Sequence, residues 1–513
     1  MQRDCGDAYR QRQLSRRSVL RGAAGGLAAA LFAGTATTAG CGRTASAPED
    51  ELFAELDAKI EELMAAYAVP GVAVGVWHRG REHLRGFGVT DIEQPEPVTP
   101  DTLFRVGSTT KTFTGTALMR LVDSGEMVLD ERVRTYLPDF RTADAEVADR
   151  VTVRQLLNHS AGWRGDYYED FGPGDDALAR YTAGIATLPQ LTPPGTTFAY
   201  NNAAVTMAGH VIEKVTGLGY EQAVRELVLD PLGLEHSGFF ADELRAVPST
   251  ASHHVVDGQA VLNRQAWDMP RSLHPTGGLI STARDQLRYA RFHLGDGTDP
   301  QGRTLLTTDS LLAMRSEPGP SGTLTVEVDG TGVTWHLRPT AEGVPVIMHG
   351  GAWPGQQSGF YFVPDRDFAL TLLTNSDGGD RLIADIMYDD WALQRFAGLH
   401  NLPARVRDLT PGQLADYEGR YTSEEIGEDG TLTRTDTLLT ADAGRLRHRV
   451  LSPAGEPVAA EPHTPTHLGF YRDDHVLHQD RAGNSLHNRS DFVRDETGRV
   501  RWLRMGGRLH RRH

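Results

Sequence analysis

The chain has 513 residues, 39% of them hydrophobic and 7% aromatic, and a formal net charge of −16 at pH 7. That length is too great for one ordinary domain and allows about two or three. The composition suits a globular protein, and an acidic chain with no polybasic run in its body argues against nucleic acid as a partner.

Near the N-terminus, Ser15-Arg16-Arg17-Ser18-Val19-Leu20-Arg21 precedes a run of alanine, glycine and leucine that ends near Ala39. Paired arginines before a mildly apolar stretch of small residues resemble a twin-arginine export signal, here residues 1–40. The run is too short and too rich in Gly and Ala for a permanent membrane span. Thr38-Ala39-Gly40-Cys41 resembles a lipobox and makes Cys41 the lipidation candidate, although a larger aliphatic residue usually stands where Thr38 is. Simple cleavage near Ala45-Ser46-Ala47 is the alternative. The expected location is therefore extracytoplasmic, either anchored to the membrane by lipid or secreted. The only cysteines are Cys5 and Cys41, so the mature chain has no intramolecular disulfide.

After a tether over 41–50, apolar residues at helical spacing predict a helix over 51–67. Strands are predicted over 71–77 and 84–89. Phe104-Arg105-Val106-Gly107-Ser108-Thr109-Thr110-Lys111 then reads as strand end, turn and helix. If the helix begins near Ser108, Ser108 and Lys111 share one face. Only three of the 52 basic residues are lysine: Lys59, Lys111 and Lys214. Arginine cannot give up its proton, whereas a buried lysine beside a serine can serve as base and activate it as a nucleophile.

Residues 153–163 form a short helix and a glycine-containing loop, with His159 expected as a buried structural histidine. The loop 164–176 is aromatic and acidic, and reads equally as a cap over a site or as a solvated loop. Tyr200-Asn201-Asn202 leads into a helix over 203–215, and the bland reading is a packed tyrosine and an N-capping asparagine. Thr276-Gly277-Gly278 precedes another helix, with Ser281 or Thr282 as its N-cap. His349-Gly350-Gly351 ends an apolar strand, where glycines let a substrate lie close. A strand pair over 358–363 and 368–374 and a closing helix over 385–396 complete this part. From about 403, short alternating segments predict a small antiparallel barrel, and its histidines (His463, His467, His475, His478, His487) are expected at the surface.

Ser108-x-x-Lys111, Tyr200-x-Asn202 and His349-Gly350-Gly351, in this order and at these separations, resemble the serine β-lactamase/penicillin-binding-protein-like hydrolases, in particular the class C β-lactamase-related branch of esterases, D-aminopeptidases and DD-carboxypeptidases. The match covers about residues 51–400. The resemblance implies an α/β (α+β) fold: an antiparallel sheet flanked by helices, plus a helical subdomain, followed here by a small lipocalin-like β-barrel over 403–513. It implies Ser108 as nucleophile, Lys111 as its base and Tyr200 as proton shuttle. Asn202 would bind the substrate amide or orient Lys111, and His349, Gly350 and Gly351 would line the substrate site. The backbone N–H groups of Ser108 and Ala352 would form the oxyanion hole. It calls for no metal and no cofactor.

Two departures bear on the substrate. Asn201 stands where serine or alanine is usual, at a position read here as free of constraint. His349 stands where β-lactamases carry lysine, and a histidine is mostly neutral at pH 7. This favours cleavage of an ester or a D-amino-acid amide or peptide over a β-lactam. The alternatives are a penicillin-binding DD-carboxypeptidase or weak β-lactamase, and a non-catalytic wall-binding scaffold.

Overall fold

The computed structural model describes residues 49–513, apart from 265, 266, 268, 317 and 459–464. The export segment, Cys41, most of the tether and His463 lie outside the described residues.

α1 (Glu49–Tyr67) buries Leu52, Phe53, Leu56, Ile60 and Leu63 along one stripe, the pattern of a helix laid on a core. β1 (Gly71–His78) and β2 (Arg81–Gly88) follow as a hairpin. The rest of the sheet comes from far along the chain: β3 (Gly330–Thr331), β4 (His336–Arg338), β5 (Val346–Trp353), β6 (Gln356–Val363) and β7 (Phe368–Thr374). The seven strands run antiparallel in the order β2-β1-β7-β6-β5-β4-β3. β1 is almost wholly buried, which explains its near-continuous apolar sequence.

Three helices position the site. α2 (Thr110–Asp123) is buried over most of its length. α3 (Asn202–Thr216) is N-capped by Asn201, whose side chain accepts the N–H of Ala204, and ends at Gly217 in the left-handed region. α4 (Ala283–Leu294) is N-capped by Thr282 and packs on β1, β6 and β7. One apolar core runs from the helices (Phe113, Leu118, Met207, Val211) into the sheet (Ala73, Phe360, Leu373). The closing helix expected over 385–396 is instead two wide-turned segments, Ala384–Tyr388 and Leu393–Ala397, interrupted where Asp390 takes φ 60°.

The C-terminal strands β8 (Gly419–Ile426), β9 (Leu432–Asp442), β10 (Arg445–Leu451), β11 (His467–Arg472), β12 (His475–Gln479), β13 (Ser485–Arg494), β14 (Val500–Met505) and β15 (Arg508–Arg512) form a closed antiparallel barrel. Closure comes from β15 pairing back on β8, Arg512 opposite Tyr421. Tyr421, Leu439, Phe470, Phe492 and Leu503 fill it. Two of its histidines, His467 and His478, are buried rather than at the surface, and Nε2 of His478 lies 2.7 Å from the hydroxyl of Ser490.

The barrel docks on the rest of the chain through polar contacts. Arg504 pairs with Asp491 and donates to the carbonyl of Phe198 at 2.6 Å. The backbone N–H of Tyr168 donates to Ile426 O at 2.8 Å, and that of Ile426 to Asp166 O at 3.0 Å. The loop 164–176 is therefore stitched to the end of β8. Of its two sequence readings, a cap or a solvated loop, the structure supports an anchored wall.

Candidate active site

Ser108 lies on a single tight turn, Gly107–Thr109, and α2 begins two residues later. Two glycines make this geometry possible. Gly107 has φ +50°, and a Cβ there would meet the backbone of Ala352 at 2.6–2.9 Å. Gly351 on β5 approaches the same turn so closely that a Cβ would sit 2.0 Å from Val106 O and 2.7 Å from Ser108 N. The hydroxyl of Ser358 ties the turn to β6, donating to Val106 O at 2.8 Å. In this neighbourhood of buried residues Ser108 itself stays half-exposed, so its hydroxyl is accessible.

Lys111 Nζ is 3.0 Å from Ser108 Oγ and donates to the carbonyl of Thr276 at 2.7 Å. Its side chain is wholly buried. Burial, reinforced by the nearby positive charge of Arg508 and opposed by Asp166, drives the Lys111 pKa well below the ordinary lysine value. A neutral amine here can accept the serine proton. Burial pushes the pKa of the Tyr200 hydroxyl up to about 12, while Arg508 and the Ser108 side chain act to lower it. Lys111 Nζ lies 5.1 Å from the centre of the Tyr200 ring. The three residues picked out by the sequence motifs thus meet at one site, with Lys111 hydrogen-bonded to Ser108 and its amine over the Tyr200 ring.

Of the two roles expected for Asn202, its contacts bear on the orientation of Lys111. Its amide N–H groups go to Asp166 Oδ1 at 3.0 Å and the hydroxyl of Tyr168 at 2.9 Å, and its carbonyl accepts from Thr276 Oγ1 at 3.0 Å. Both donors are used, so it can donate to a substrate amide only by giving one up. It acts on Lys111 through Thr276, whose carbonyl holds the amine. Asn201 is not at a free position: besides capping α3, it donates to Trp163 O at 2.8 Å and is fully buried.

His349 is 2% exposed, and its Nδ1 lies 2.6 Å from the carbonyl of Gly350. Burial, with His336 and Lys111 adding to it, holds its pKa well below the usual value. It is a buried neutral group, packed on His336 with its ring 6.3 Å from that of Tyr200. Gly350 and Gly351 are half-buried beside it and Ala352 is exposed, so the strand edge next to Ser108 is open to solvent.

His159, His336 and His349 form the one three-ligand cluster among the described residues, with donor atoms within 4.8 Å of one another. The tautomer of His159 does not suit a metal. The backbone N–H of Asn201 donates to His159 Nδ1 at 3.1 Å, which places the proton of the neutral ring on Nε2 and leaves no lone pair there. Nε2 of both His159 and His349 is buried without a partner. His159 otherwise serves as expected of a structural histidine, its ring stacked 4.4 Å from that of Tyr200.

Sequence reasoning missed Asp166, Thr276 and Arg508. Arg508 follows the β14–β15 turn, Gly506-Gly507. Its guanidinium pairs with Asp166 at 3.1 Å, with the guanidinium carbon 4.6 Å from the centre of the Tyr200 ring. The Gly507 carbonyl accepts the N–H of Tyr200 at 2.8 Å. The only sequence signal was a glycine pair before an arginine in a chain rich in both.

Residues 56–391 match the β-lactamase family. Penicillin-binding protein 4 of Amycolatopsis lactamdurans is 35% identical over 371 residues, 71% of this chain and 96% of that protein. Esterase EstB of Burkholderia gladioli is 29% identical over 364 residues, covering 63% and 91%. Among solved structures, SurE superposes with a TM-score of 0.69 at 28% identity over 91% of this chain and all of SurE; a second SurE structure contains D-Leu. Members of the family include hydrolases such as esterases and penicillin-binding-protein-like proteins, and the match spans the sheet, the helices and all three motifs. The chain belongs to the β-lactamase family.

Proposed function

We propose that the protein is an exported serine hydrolase that forms an acyl-enzyme on Ser108 and cleaves an ester or a D-amino-acid amide or peptide bond. The observation that carries this reading is the wholly buried Lys111 amine 3.0 Å from the half-exposed Ser108 hydroxyl. Ser108 Oγ bonds to the substrate carbonyl carbon as its proton passes to Lys111 Nζ. The tetrahedral oxygen meets the backbone N–H groups of Ser108 and Ala352. The bond to the leaving group breaks, and that group takes its proton through the Tyr200 hydroxyl, resupplied by the Lys111 ammonium. Water then attacks the acyl-enzyme by the same proton path in reverse and restores Ser108.

Two observations favour esters and D-peptides. The third motif supplies a neutral His349 where a carboxylate-gripping lysine would suit a β-lactam. The relatives include an esterase, and a structural relative was crystallised with D-Leu. Penicillin binding as a DD-carboxypeptidase is the second reading, favoured by the similarity to a penicillin-binding protein. Export, with or without lipidation of Cys41, rests on the N-terminal sequence. No helix among the described residues is long and apolar enough to cross a membrane.

Intact-mass analysis after incubation with a p-nitrophenyl ester, a D-alanyl amide and a penicillin, each with Ser108→Ala as control, tests the reading. Turnover of ester or amide that Ser108→Ala abolishes supports it. A lasting adduct with penicillin alone selects the second reading. Equal reaction of Ser108→Ala refutes both.

A further inference from the structure

The loop 164–176 and the barrel meet over the catalytic group, and each contributes one half of an ion pair there. Asp166 comes from the loop. Arg508 comes from the first residue of β15, carried in by the β14–β15 turn. Arg508 Nε donates to Asp166 Oδ2 at 3.1 Å and Nη2 to Oδ1 at 3.3 Å, while Nη1 donates to its own turn at Gly506 O at 2.9 Å. Asp166 is further held by Asn202 and by the Tyr168 hydroxyl. The guanidinium therefore has a fixed place, with its carbon 4.6 Å from the centre of the Tyr200 ring. A planar guanidinium can stack on a ring and grip a carboxylate at once; an ammonium cannot. The hairpin has no slack: a Cβ on Gly507 would lie 2.9 Å from Tyr200 Cβ.

We propose that Arg508, oriented by Asp166, is a positioning residue for catalysis: the barrel delivers it onto the Tyr200 ring, where its charge acts on both Tyr200 and Lys111. The inference rests on the acyl-enzyme reading above. It makes the barrel part of the catalytic apparatus and not only an appended domain.

The charge environment is small enough to enumerate. Lys111 and Tyr200 are faced by Asp166 and Tyr168 from the loop, by His159, His336 and His349 from behind, by Tyr388 and by Arg508. Burial keeps the three imidazoles neutral. Arg508 and Asp166 remain as the charged pair, and they push in opposite directions: Arg508 lowers the pKa of both Lys111 and Tyr200, and Asp166 raises both. The acid limb of a kcat/KM profile reports deprotonation of the base in the free enzyme. Loss of Arg508 moves that limb to higher pH, and loss of the Asp166 charge moves it to lower pH.

The test uses the full chain and p-nitrophenyl butyrate, followed at the isosbestic wavelength of the product, with Ser108→Ala subtracted at each pH. For Arg508→Gln, kcat/KM at pH 7 falls about tenfold and recovers as the pH is raised, because the limb has moved. Arg508→Lys keeps the charge and leaves the limb near wild type, with a lower kcat. Asp166→Asn moves the limb the opposite way from Arg508→Gln. A uniform loss at every pH in Arg508→Gln, or shifts of the same sign in the two variants, overturns the proposal; if Arg508→Gln fails to fold by thermal melt, the Asp166→Asn and Arg508→Lys profiles decide it. An unmoved limb with an inert Ser108→Ala refutes this inference alone, whereas a Ser108→Ala protein as active as wild type refutes the acyl-enzyme reading and this inference with it.

Discussion

Gly351→Ala is the sharpest test of how the nucleophile is held. Gly351 has no unusual backbone conformation, so alanine costs nothing in φ and ψ; the whole effect is steric. The new methyl would stand 2.0 Å from Val106 O, 2.7 Å from Ser108 N and 2.8 Å from Ser358 Oγ, where real Cβ atoms stay beyond 3.0 Å. Two of these three are backbone atoms of the nucleophile's own turn, so β5 and the turn must separate by about 1 Å. Overpacking of this kind costs about 1–3 kcal/mol, within the usual 5–15 kcal/mol of a folded protein, and the variant folds. The same 1 Å displaces Ser108 from the oxyanion site, and a misplacement of that size costs about 10²-fold in rate, or about 2.7 kcal/mol of transition-state stabilisation at 1.36 kcal/mol per tenfold. The assay is the pre-steady-state burst of p-nitrophenol release, which isolates acylation. Gly412→Ala, with nothing within 4 Å, is the control and keeps wild-type acylation. An acylation rate for Gly351→Ala within about threefold of wild type would refute the argument that this close approach positions Ser108.

Three further expectations follow from the same structure. Lys111→Arg keeps a positive charge but cannot take a proton, and acylation falls about 10²–10⁴-fold; near-normal burst kinetics would mean that another group is the base. Asn201→Ala removes the α3 cap and the bond to Trp163 O, costing about 0.5–2 kcal/mol for the cap alone, measured as a shift in the denaturant midpoint at unchanged slope. Despite its burial, Glu221 is held at about 2 by hydrogen bonds from His274 and Arg271. A folded pKa below the unfolded value stabilises above the unfolded pKa and is lost as the pH falls through the folded one, so Glu221→Gln flattens the acid side of the stability profile between about pH 4.5 and pH 2. A profile that keeps its wild-type slope there would exclude Glu221 as a source of it.

Much of the site was legible because its chemistry is local. Ser108 and Lys111 are one helical turn apart, and the scarcity of lysine in the chain marked the pair. The strand character of β5, β6 and β7 and the amphipathic spacing of α1 are periodicities that a sequence displays directly. Less local features were not legible. The role of Asn202 depends on Asp166, 36 residues earlier, and on Thr276, 74 residues later. The buried place of His349 depends on its packing against His336 and Tyr200. Asn201 carried a cap and a long-range bond at once, and only the first has a sequence signature.

By itself, then, the sequence singled out the Ser108–Lys111 pair, the sheet-and-helix domain and the presence of a small barrel, because each rests on residue chemistry or on short periodicity. Only the tertiary structure decided which charge stands beside that pair. Arg508 stands 308 residues after Tyr200 in the chain and is one of many arginines, and nothing in its neighbours distinguishes it. It reaches the active site because β15 closes the barrel against β8 and the Gly506-Gly507 turn then projects onto the Tyr200 backbone. Closure of a barrel is a property of eight strands together, and the position of one side chain at its rim is fixed only when all of them are in register.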